Sequence, residues 1–547
     1  GKYGSADGAR AYAQKIYESS SLGRVAGERK SGSAYDSKQV SYNYSTNTAN
    51  EVFQLRVTYG TEGALSTATL SVSYYPAASL YKTTVTNEDG GQRIEYKDFK
   101  GNVVLERRLI SGTTYADTYY CYDYKGQPVW IVTPQGSVSL SNGASYSASH
   151  VLAVQYSYLY AYDGNGNIIE KRQPGREPEY YVYDKGKREV MYQDGNMRQN
   201  NQWIYTTYDN HNRIAEKTVV TTTLTRTSLQ GLYSASSFNN KYENLTNPNI
   251  PANAQDVSVV KILYSGRYYG YTYSSSANPA ASLPFVATDI APQSELSTLT
   301  HGELKYEKHL LLTSGEAQQY KETAYYYNNL AQLLQSVTKY PNGNILRTSF
   351  KYDFMGNIIA QEEKYGTITK LTTCTYDNRG KLLSENIKIN GTTAATVTYA
   401  YDDMGRVAKR TLGNGVTEVQ GYNIQGWATA LSATKDTTNI YSQNLGYYTT
   451  AKSTTPLYSG NISEWGTQQG TNAQNTYGFT YDLQGRLLSS SLYKGTSTLA
   501  QNAYTERGIS YDNNGNILKM QRYGANLQDN YTYTYSGNKL SSISGHN

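Results

Sequence analysis

The side chains able to do metal or acid–base chemistry are few in this sequence and scattered. Of the five histidines, His150, His211, His301, His309 and His546, no two have the i, i+2 or i, i+4 spacing that gathers imidazoles around a metal. Cys121 and Cys374 are too far apart for a disulfide framework and read as ordinary strand residues, with Cys121 on the face opposite Tyr120 and Tyr122. Asp512-Asn513-Asn514-Gly515-Asn516 has the composition of a calcium loop. Its Gly falls at the fourth position instead of the sixth and no Glu follows at the twelfth, so it reads as a turn. Gly164-Asn165-Gly166-Asn167 lacks the third Gly and the following helix of a dinucleotide site. Glu362 and Glu363 are adjacent and would point to opposite faces of a strand, where they cannot act as an acid–base pair. With no Gly-x-Ser-x-Gly elbow either, the expectation is a non-enzyme with no catalytic residue, no metal and no cofactor.

The residue pattern that does recur is Tyr-Asp-x-x-Gly. It stands at Tyr122, Asp123, Gly126; Tyr162, Asp163, Gly166; Tyr352, Asp353, Gly356; Tyr376, Asp377, Gly380; Tyr401, Asp402, Gly405; Tyr481, Asp482, Gly485; and Tyr511, Asp512, Gly515. Partial copies occur at Tyr96 with Asp98 and Gly101, Tyr183-Asp184, Tyr208-Asp209, Tyr327-Asn328, Tyr422-Asn423 with Gly426, and Tyr535 with Gly537. Asp at the first and Gly at the fourth position is the preferred dressing of a type I turn: the carboxylate accepts from nearby backbone N–H groups and Gly accepts positive φ. Such a turn closes a β-hairpin through a bulge. After the Gly come a polar residue and an apolar pair, as in Asn357-Ile358-Ile359 and Arg406-Val407-Ala408. Before the Asp, tyrosines alternate, at 156, 158, 160 and 162 and again at 531, 533 and 535, which places each set on one face of a strand. The chemistry of the motif is therefore structural. Repetition at about 20 to 50 residues marks stacked supersecondary units, and the expected fold is all-β: antiparallel hairpin repeats joined in a long strip.

Composition constrains the shape of that strip. A chain of 547 residues exceeds the about 250 to 300 residues at which single cores stop growing, whereas a strip escapes the limit because each repeat contacts its neighbours. The 38% apolar fraction includes 59 Tyr of 547 residues and is about 27% without them; the 47 Gly raise that to about 36%, against about 45 to 50% on the same count in ordinary domains. The sheet is thus expected to meet water on much of both faces, with Tyr as the packing residue: its ring buries area while its hydroxyl finds a partner or water. Fifty Lys and Arg against 44 Asp and Glu give a net charge of +6 at a charged fraction of only 17%, too dilute for a nucleic-acid groove. No apolar run approaches the length of a bilayer span. The sequence opens with no charged and apolar leader, and if the protein is exported its signal is expected to have been removed or to lie upstream of Gly1.

Four parts are expected along the chain: an irregular β lead-in over residues 1–90, a first repeat block over 91–224, a Pro-, Ser- and Asn-rich insertion over 225–320 marked by Asn247-Pro248, Asn278-Pro279, Leu283-Pro284 and Ala291-Pro292, and a second repeat block over 321–547. One helix is expected, over Ala9–Ser19.

Tyr-Asp-x-x-Gly followed by Asn or Arg and an apolar pair, in about a dozen full and partial copies, resembles the Rhs or YD-repeat family. Asp117-Thr118-Tyr119-Tyr120-Cys121-Tyr122-Asp123, running on to Trp130-Ile131-Val132-Thr133-Pro134, is similar to the opening of Rhs-like proteins of Bacteroidetes. The resemblance covers residues 91–547, and residues 1–90 are similar to the lead-in of those proteins. It implies a β-strip that spirals into a hollow shell or barrel, as in the B and C components of Tc toxins and the barrel of teneurins. It also implies a secreted or cell-surface setting and, in the toxin branch, a C-terminal toxin or effector cargo of the same polypeptide held inside, or a secretion-system component, as partner. That branch closes its shell with an Asp-Pro-x-Gly core whose acidic residues perform self-cleavage. This sequence has no Asp-Pro dipeptide, so no proteolytic residue is carried over. The expectation is either a fragment whose closing core and cargo lie beyond Asn547 or a member that does not encapsulate. Two functions follow: a toxin-carrier shell, or a cell-surface adhesion protein that binds glycan or protein through its Tyr-rich strips.

Overall fold

The computed structural model describes residues 10–60, 64–208, 212–234, 257–264, 279–297, 302–311, 319–452, 455–494, 497–498 and 503–546. The chain divides into two units, Gly1–Pro178 with Glu418–Asn547, and Glu179–Thr417.

In the first unit an antiparallel meander opens at Gln14–Tyr17 and runs through Val25–Arg29, Val40–Thr46, Tyr81–Thr86, Gln92–Lys97, Val103–Ser111, Thr114–Tyr122, Pro128–Val132, Ser157–Tyr162 and Ile168–Arg172, each strand paired with the next. The helix expected over Ala9–Ser19 is not found: among the described residues Gln14–Tyr17 is a strand whose backbone bonds go to Val25–Arg29, a tertiary ladder that overrides a short stretch of helix propensity. A three-stranded sheet of Phe53–Tyr59, Ala68–Tyr74 and Ser145–Ser147 lies against Thr114–Tyr122. The Phe53 ring stacks on Tyr74 at 4.8 Å and meets Tyr119 at 5.9 Å, and Cys121 Sγ donates to the Leu55 carbonyl at 3.2 Å. Leu55, Leu70, Val72, Leu105, Tyr119 and Trp130 are buried in this part of the unit, each aliphatic side chain contributing about 1.5–3 kcal/mol. Tyr156 ends the helix Val151–Tyr156, which His150 caps by accepting the Leu152 N–H at 3.1 Å. Tyr156 therefore falls outside the tyrosine ladder. Its neighbours continue that ladder, Tyr160 and Tyr162 stacking at 6.5 Å.

The second segment of this unit continues as hairpins through Ala428–Lys435, Thr438–Gly446, Glu464–Gln469, Asn475–Tyr481 and Leu487–Lys494. A four-stranded sheet of Glu506–Tyr511, Ile517–Tyr523, Leu527–Ser536 and Lys539–His546 follows.

The second unit is a single run of consecutively paired antiparallel strands from Glu179–Tyr183 to Val407–Leu412. The stretch expected to be a loop-rich insertion contributes a helix, Arg226–Ser234, and two strands, Val257–Tyr264 and Leu304–Leu311, that carry the ladder from Ile214–Thr221 to Gln319–Tyr327. Asn247-Pro248 and Asn278 lie outside the described residues. Leu229 and Tyr233 of that helix join Val182, Val190, Met191, Trp203 and Val220 in one core, while Leu283, Tyr306, Ala324 and Val337 form another. Past Ala360 the character changes, and no residue from 361 to 417 is buried. Those strands hold together through ladder bonds, cross-strand pairs and the devices described next.

Candidate functional site

Each Tyr-Asp-x-x-Gly unit forms the same three-part lock. In the unit at Tyr352, Gly356 N–H donates to the Asp353 carbonyl at 3.1 Å and Asp353 N–H to the Asn357 carbonyl at 3.0 Å. Gly356 sits at φ 88, and the strand register slips between Lys351 and Tyr352: a type I turn closed by a glycine bulge. The same backbone pair closes the turns at Asp123, Asp163, Asp377, Asp402, Asp482 and Asp512, with Gly126, Gly166, Gly380, Gly405, Gly485 and Gly515 at φ between 78 and 92.

The second part of the lock is the carboxylate. Asp353 Oδ1 accepts the N–H groups of Met355 and Asn357, both at 2.9 Å, and Oδ2 accepts Asn357 Nδ2 at 2.9 Å. The polar residue after the Gly is thus part of the turn, a role its position alone did not reveal. Asn167 and Asn516 act on Asp163 and Asp512 in the same way, and Arg406 and Arg486 bring Nε to Asp402 and Asp482 at 2.7 and 2.6 Å. These donors hold the Asp353 carboxyl below its ordinary range, the Asn357 side chain foremost; for Asp377 the Lys381 N–H leads. That same polar residue also underlies the next turn. A Cβ added to Gly380 would meet Asn357 Oδ1 at 3.5 Å, one on Gly356 would meet Gln332 Nε2 at 3.3 Å, and Lys381 Nζ stands against Gly405.

The third part is the tyrosine. The phenol of Tyr376 donates to the Ile358 carbonyl at 2.8 Å, that of Tyr401 to Leu382 at 2.7 Å and that of Tyr352 to Leu333 at 2.8 Å. Tyr122, Tyr162, Tyr481 and Tyr511 reach Val103, Pro128, Ile462 and Leu487 at 2.8, 2.9, 2.8 and 2.7 Å. The register explains the target. The ladder between Ile358–Tyr365 and Ile368–Tyr376 ends at Ala360 paired with Thr373, so Ile358 lies beyond the last rung and its carbonyl would otherwise lack a donor. Leu382 lies likewise beyond the rung Ser384–Thr398, and Leu333 beyond Gln335–Ser349. The phenol supplies the missing hydrogen bond where the backbone runs out of donors. Burial pushes the hydroxyls of Tyr122, Tyr162, Tyr208 and Tyr327 up to about 12, which keeps them donors to a higher pH than a free phenol.

Several members of this system were not visible as motifs. Tyr447 belongs to no Tyr-Asp pair, yet its phenol donates to the Ala428 carbonyl at 3.0 Å. Ala331 and Lys187 stand at φ 59 and 62 in turns where other units use Gly. Tyr96, in contrast, donates to Glu51 Oε1 at 2.6 Å, and Glu51, joined also by Lys82 at 2.6 Å against the cost of its burial, has its carboxyl lowered to about 2. Asp209, His211 and His301 lie outside the described residues. His309 Nε2 faces Glu307 at 3.2 Å and His546 Nδ1 faces Asp529 at 2.7 Å. No group of three or more potential metal ligands occurs among the described residues. Burial raises the Cys121 thiol to about 12, which disfavours the thiolate.

Within the first unit, a clasp joins the segments on either side of residues 179–417. Asp89 accepts the N–H groups of Tyr458, at 2.9 and 3.1 Å to its two oxygens, and of Ser459 at 2.8 Å. Tyr35 donates to the Tyr458 carbonyl at 3.0 Å and Lys30 Nζ to the same oxygen at 3.2 Å, while Gln425 reaches the Ser31 carbonyl at 2.6 Å. Lys30 pairs with the buried Glu88 at 2.9 Å and lies over the rings of Trp427 and Tyr35 at 5.3 and 5.7 Å. Further along, Gln135 exchanges bonds with Asn513 and Asn514 at 3.2 and 2.8 Å. The sequence carries no local sign of these pairings.

Fold and site together define a scaffold of antiparallel hairpin repeats in which Tyr, Asp and Gly do structural work in the turns of each Tyr-Asp-x-x-Gly unit. Neither a protein-family model nor a curated protein sequence matches the chain. Among solved structures it is similar to TcdB2-TccC3 without the hypervariable C-terminal region, with a TM-score of 0.54 at 13% identity over 96% of this chain and 24% of that one. It aligns also with TcdB2-TccC3, at a TM-score of 0.41 and 12% identity over 96% and 28% of the two chains, and with the Photorhabdus luminescens Tc holotoxin pore at 0.39 and 11% over 96% and 29%. The chain spans about a quarter of the length of the first of these. The β-rich fold of this chain is thus similar to part of that structure. No helix among the described residues is long and apolar enough to cross a membrane.

Proposed function

We propose that this chain is part of the wall of an Rhs-type shell that carries a C-terminal toxin or effector domain of the same polypeptide, exported with its cargo. The observation that carries the reading is the stretch 361–417, where no residue is buried although the strands are continuously paired. A wall between two aqueous spaces must be stable when wet on both faces. Ladder bonds, turn carboxylates and phenol–carbonyl bonds meet that need without a hydrophobic layer. The likeness to a TcdB2-TccC3 chain whose C-terminal region is described as hypervariable supports placing a variable cargo after such a wall. Polar walls of Tyr hydroxyl, Ser and Thr also offer few apolar patches on which a cargo could dock and fold.

The test is the intact mass and terminal sequence of the native polypeptide, followed by protease challenge. A product that extends past Asn547 into a variable domain, with that domain protected until the strip is unfolded, supports the carrier reading. A product that passes into a surface anchor, or whose extra domain is digested at once, favours adhesion.

A further inference from the structure

Six Asn-Gly pairs occur in the sequence: Asn142-Gly143, Asn165-Gly166, Asn342-Gly343, Asn390-Gly391, Asn414-Gly415 and Asn514-Gly515. In five of them the glycine N–H is held by a backbone carbonyl: Gly143 by Val72 at 2.9 Å, Gly166 by Asp163 at 3.0 Å, Gly343 by Tyr340 at 2.9 Å, Gly415 by Leu412 at 3.0 Å and Gly515 by Asp512 at 3.1 Å. Gly391 differs. Its hairpin has a two-residue loop, since Ile389 pairs with Thr392, and both loop residues have positive φ, 48 for Asn390 and 81 for Gly391. That is the type I′ arrangement, in which the second loop N–H points away from the ladder. Asn390 and Gly391 are both exposed. The Asn390 side chain is oriented, too: its Oδ1 accepts the Thr369 N–H at 2.8 Å, while the Asn390 backbone N–H donates to the Thr369 carbonyl at 2.8 Å.

We propose that Asn390 is a site of spontaneous self-modification, at which the chain converts its own carboxamide to an aspartyl or isoaspartyl residue. The Gly391 nitrogen, its proton taken by solvent base, attacks Asn390 Cγ. The new N–C bond closes a five-membered succinimide, the Cγ–Nδ2 bond breaks, and the nitrogen leaves as ammonia after taking a proton from water. Water then opens the ring at either carbonyl, and no oxidant or reductant is involved. The Thr369 N–H is aimed at the oxygen on which negative charge develops during attack, the role of an oxyanion donor. In the other five pairs the attacking nitrogen must first give up a hydrogen bond. The product removes the amide, adds a negative charge and, in the isoaspartyl form, lengthens the main chain. The aspartyl form keeps an oxygen for the Thr369 N–H, whereas the isoaspartyl form reroutes the main chain and breaks the pairing of Asn390 with Thr369, the link between this hairpin and the preceding one.

The experiment is a time course of the full chain at mildly alkaline pH, folded and in urea, with peptide mapping for amide-to-acid conversion at all six sites and isoaspartyl detection. In urea the six pairs should react at comparable rates, because the local sequence alone then sets them. In the folded protein Asn390 should lead the other five by about tenfold, the weight of one well-placed hydrogen bond. Equal suppression of Asn390 and the other five on folding, or a lead by any other site, overturns the proposal. Asn390→Gln, which lengthens the side chain and disfavours the five-membered ring, should abolish the folded-state reaction; persistence of a modified residue at that peptide would also overturn it.

Discussion

Replacing Tyr401 by Phe isolates the phenol–carbonyl bond from everything else the residue does. The ring stays, so no cavity forms, and Lys381 keeps an aromatic face where its Nζ lies 5.2 Å from the ring centroid. What is lost is one hydrogen bond of 2.7 Å to the Leu382 carbonyl, which lies beyond the Ser384–Thr398 rung. A net hydrogen bond is worth about 0.5–1.5 kcal/mol, and more when its loss strands a buried group. Leu382 is only half-buried, so water can partly replace the phenol, and about 1 kcal/mol is expected. Repeat arrays need not unfold in one step, so a global midpoint is the wrong observable. Hydrogen exchange of peptides spanning 376–412 reads local opening directly, and about 1 kcal/mol corresponds to about fivefold faster exchange. Tyr399→Phe, two residues away on the same strand, is the control. Its phenol donates to Glu385 Oε2 at 2.8 Å, a side-chain carboxylate that water can serve instead, and little change is expected. If Tyr401→Phe and Tyr399→Phe exchange alike, the phenol is not completing the ladder and the third part of the lock is wrong.

Gly356→Val should cost more than about 1 kcal/mol, because a β-branched residue resists φ 88 and its Cβ would meet Gln332 Nε2 at 3.3 Å; unchanged exchange of the 345–365 hairpin would refute the turn assignment. The raised phenols set an alkaline limit. A hydroxyl that titrates near about 12 when folded and near about 10 when unfolded stabilises the fold fully below the lower value, and this is lost as pH rises through the upper one. Phenolate absorbance should therefore show a late phase that coincides with loss of strand signal; one phase near the ordinary range, with strands intact, would contradict it. Asp89→Asn exchanges a carboxylate oxygen facing the Tyr458 and Ser459 N–H groups for a donor or leaves one N–H unmet. It should loosen the clasp by about 1 kcal/mol, seen as faster proteolysis within residues 447–463, and unaltered cleavage there would argue against the clasp.

What could be read without coordinates was whatever a few neighbouring residues decide. Asp353 and Gly356 occupy the first and fourth places of one turn, and the preference of carboxylate and glycine for those places is intrinsic to their chemistry. The alternation of Tyr531, Tyr533 and Tyr535 is likewise a property of a single strand, whereas the shortage of aliphatic residues did not foretell the cores around Trp203 and Leu283. The same local logic misplaced Ala9–Ser19 as a helix, because its pairing with Val25–Arg29 is a matter of packing, and put Tyr156 on a strand by following the alternation past the local cap that His150 gives the helix Val151–Tyr156.

The amino-acid order by itself thus determined a strip of hairpins and the residues of its turns, whereas where that strip carries a hydrophobic core and where, over 361–417, it has no buried residue was decided by the tertiary structure. The tertiary structure decided what each phenol is for, since Tyr376 finds its acceptor 18 residues back only when two hairpins pair in one register. It also decided the Tyr447–Ala428 bond, which has no motif, and the meeting of Asp89 with Tyr458, whose partners lie 369 residues apart. A carboxylate and two backbone N–H groups carry no mark of one another in sequence. They are matched only when the fold brings a charge to donors that nothing nearer can satisfy.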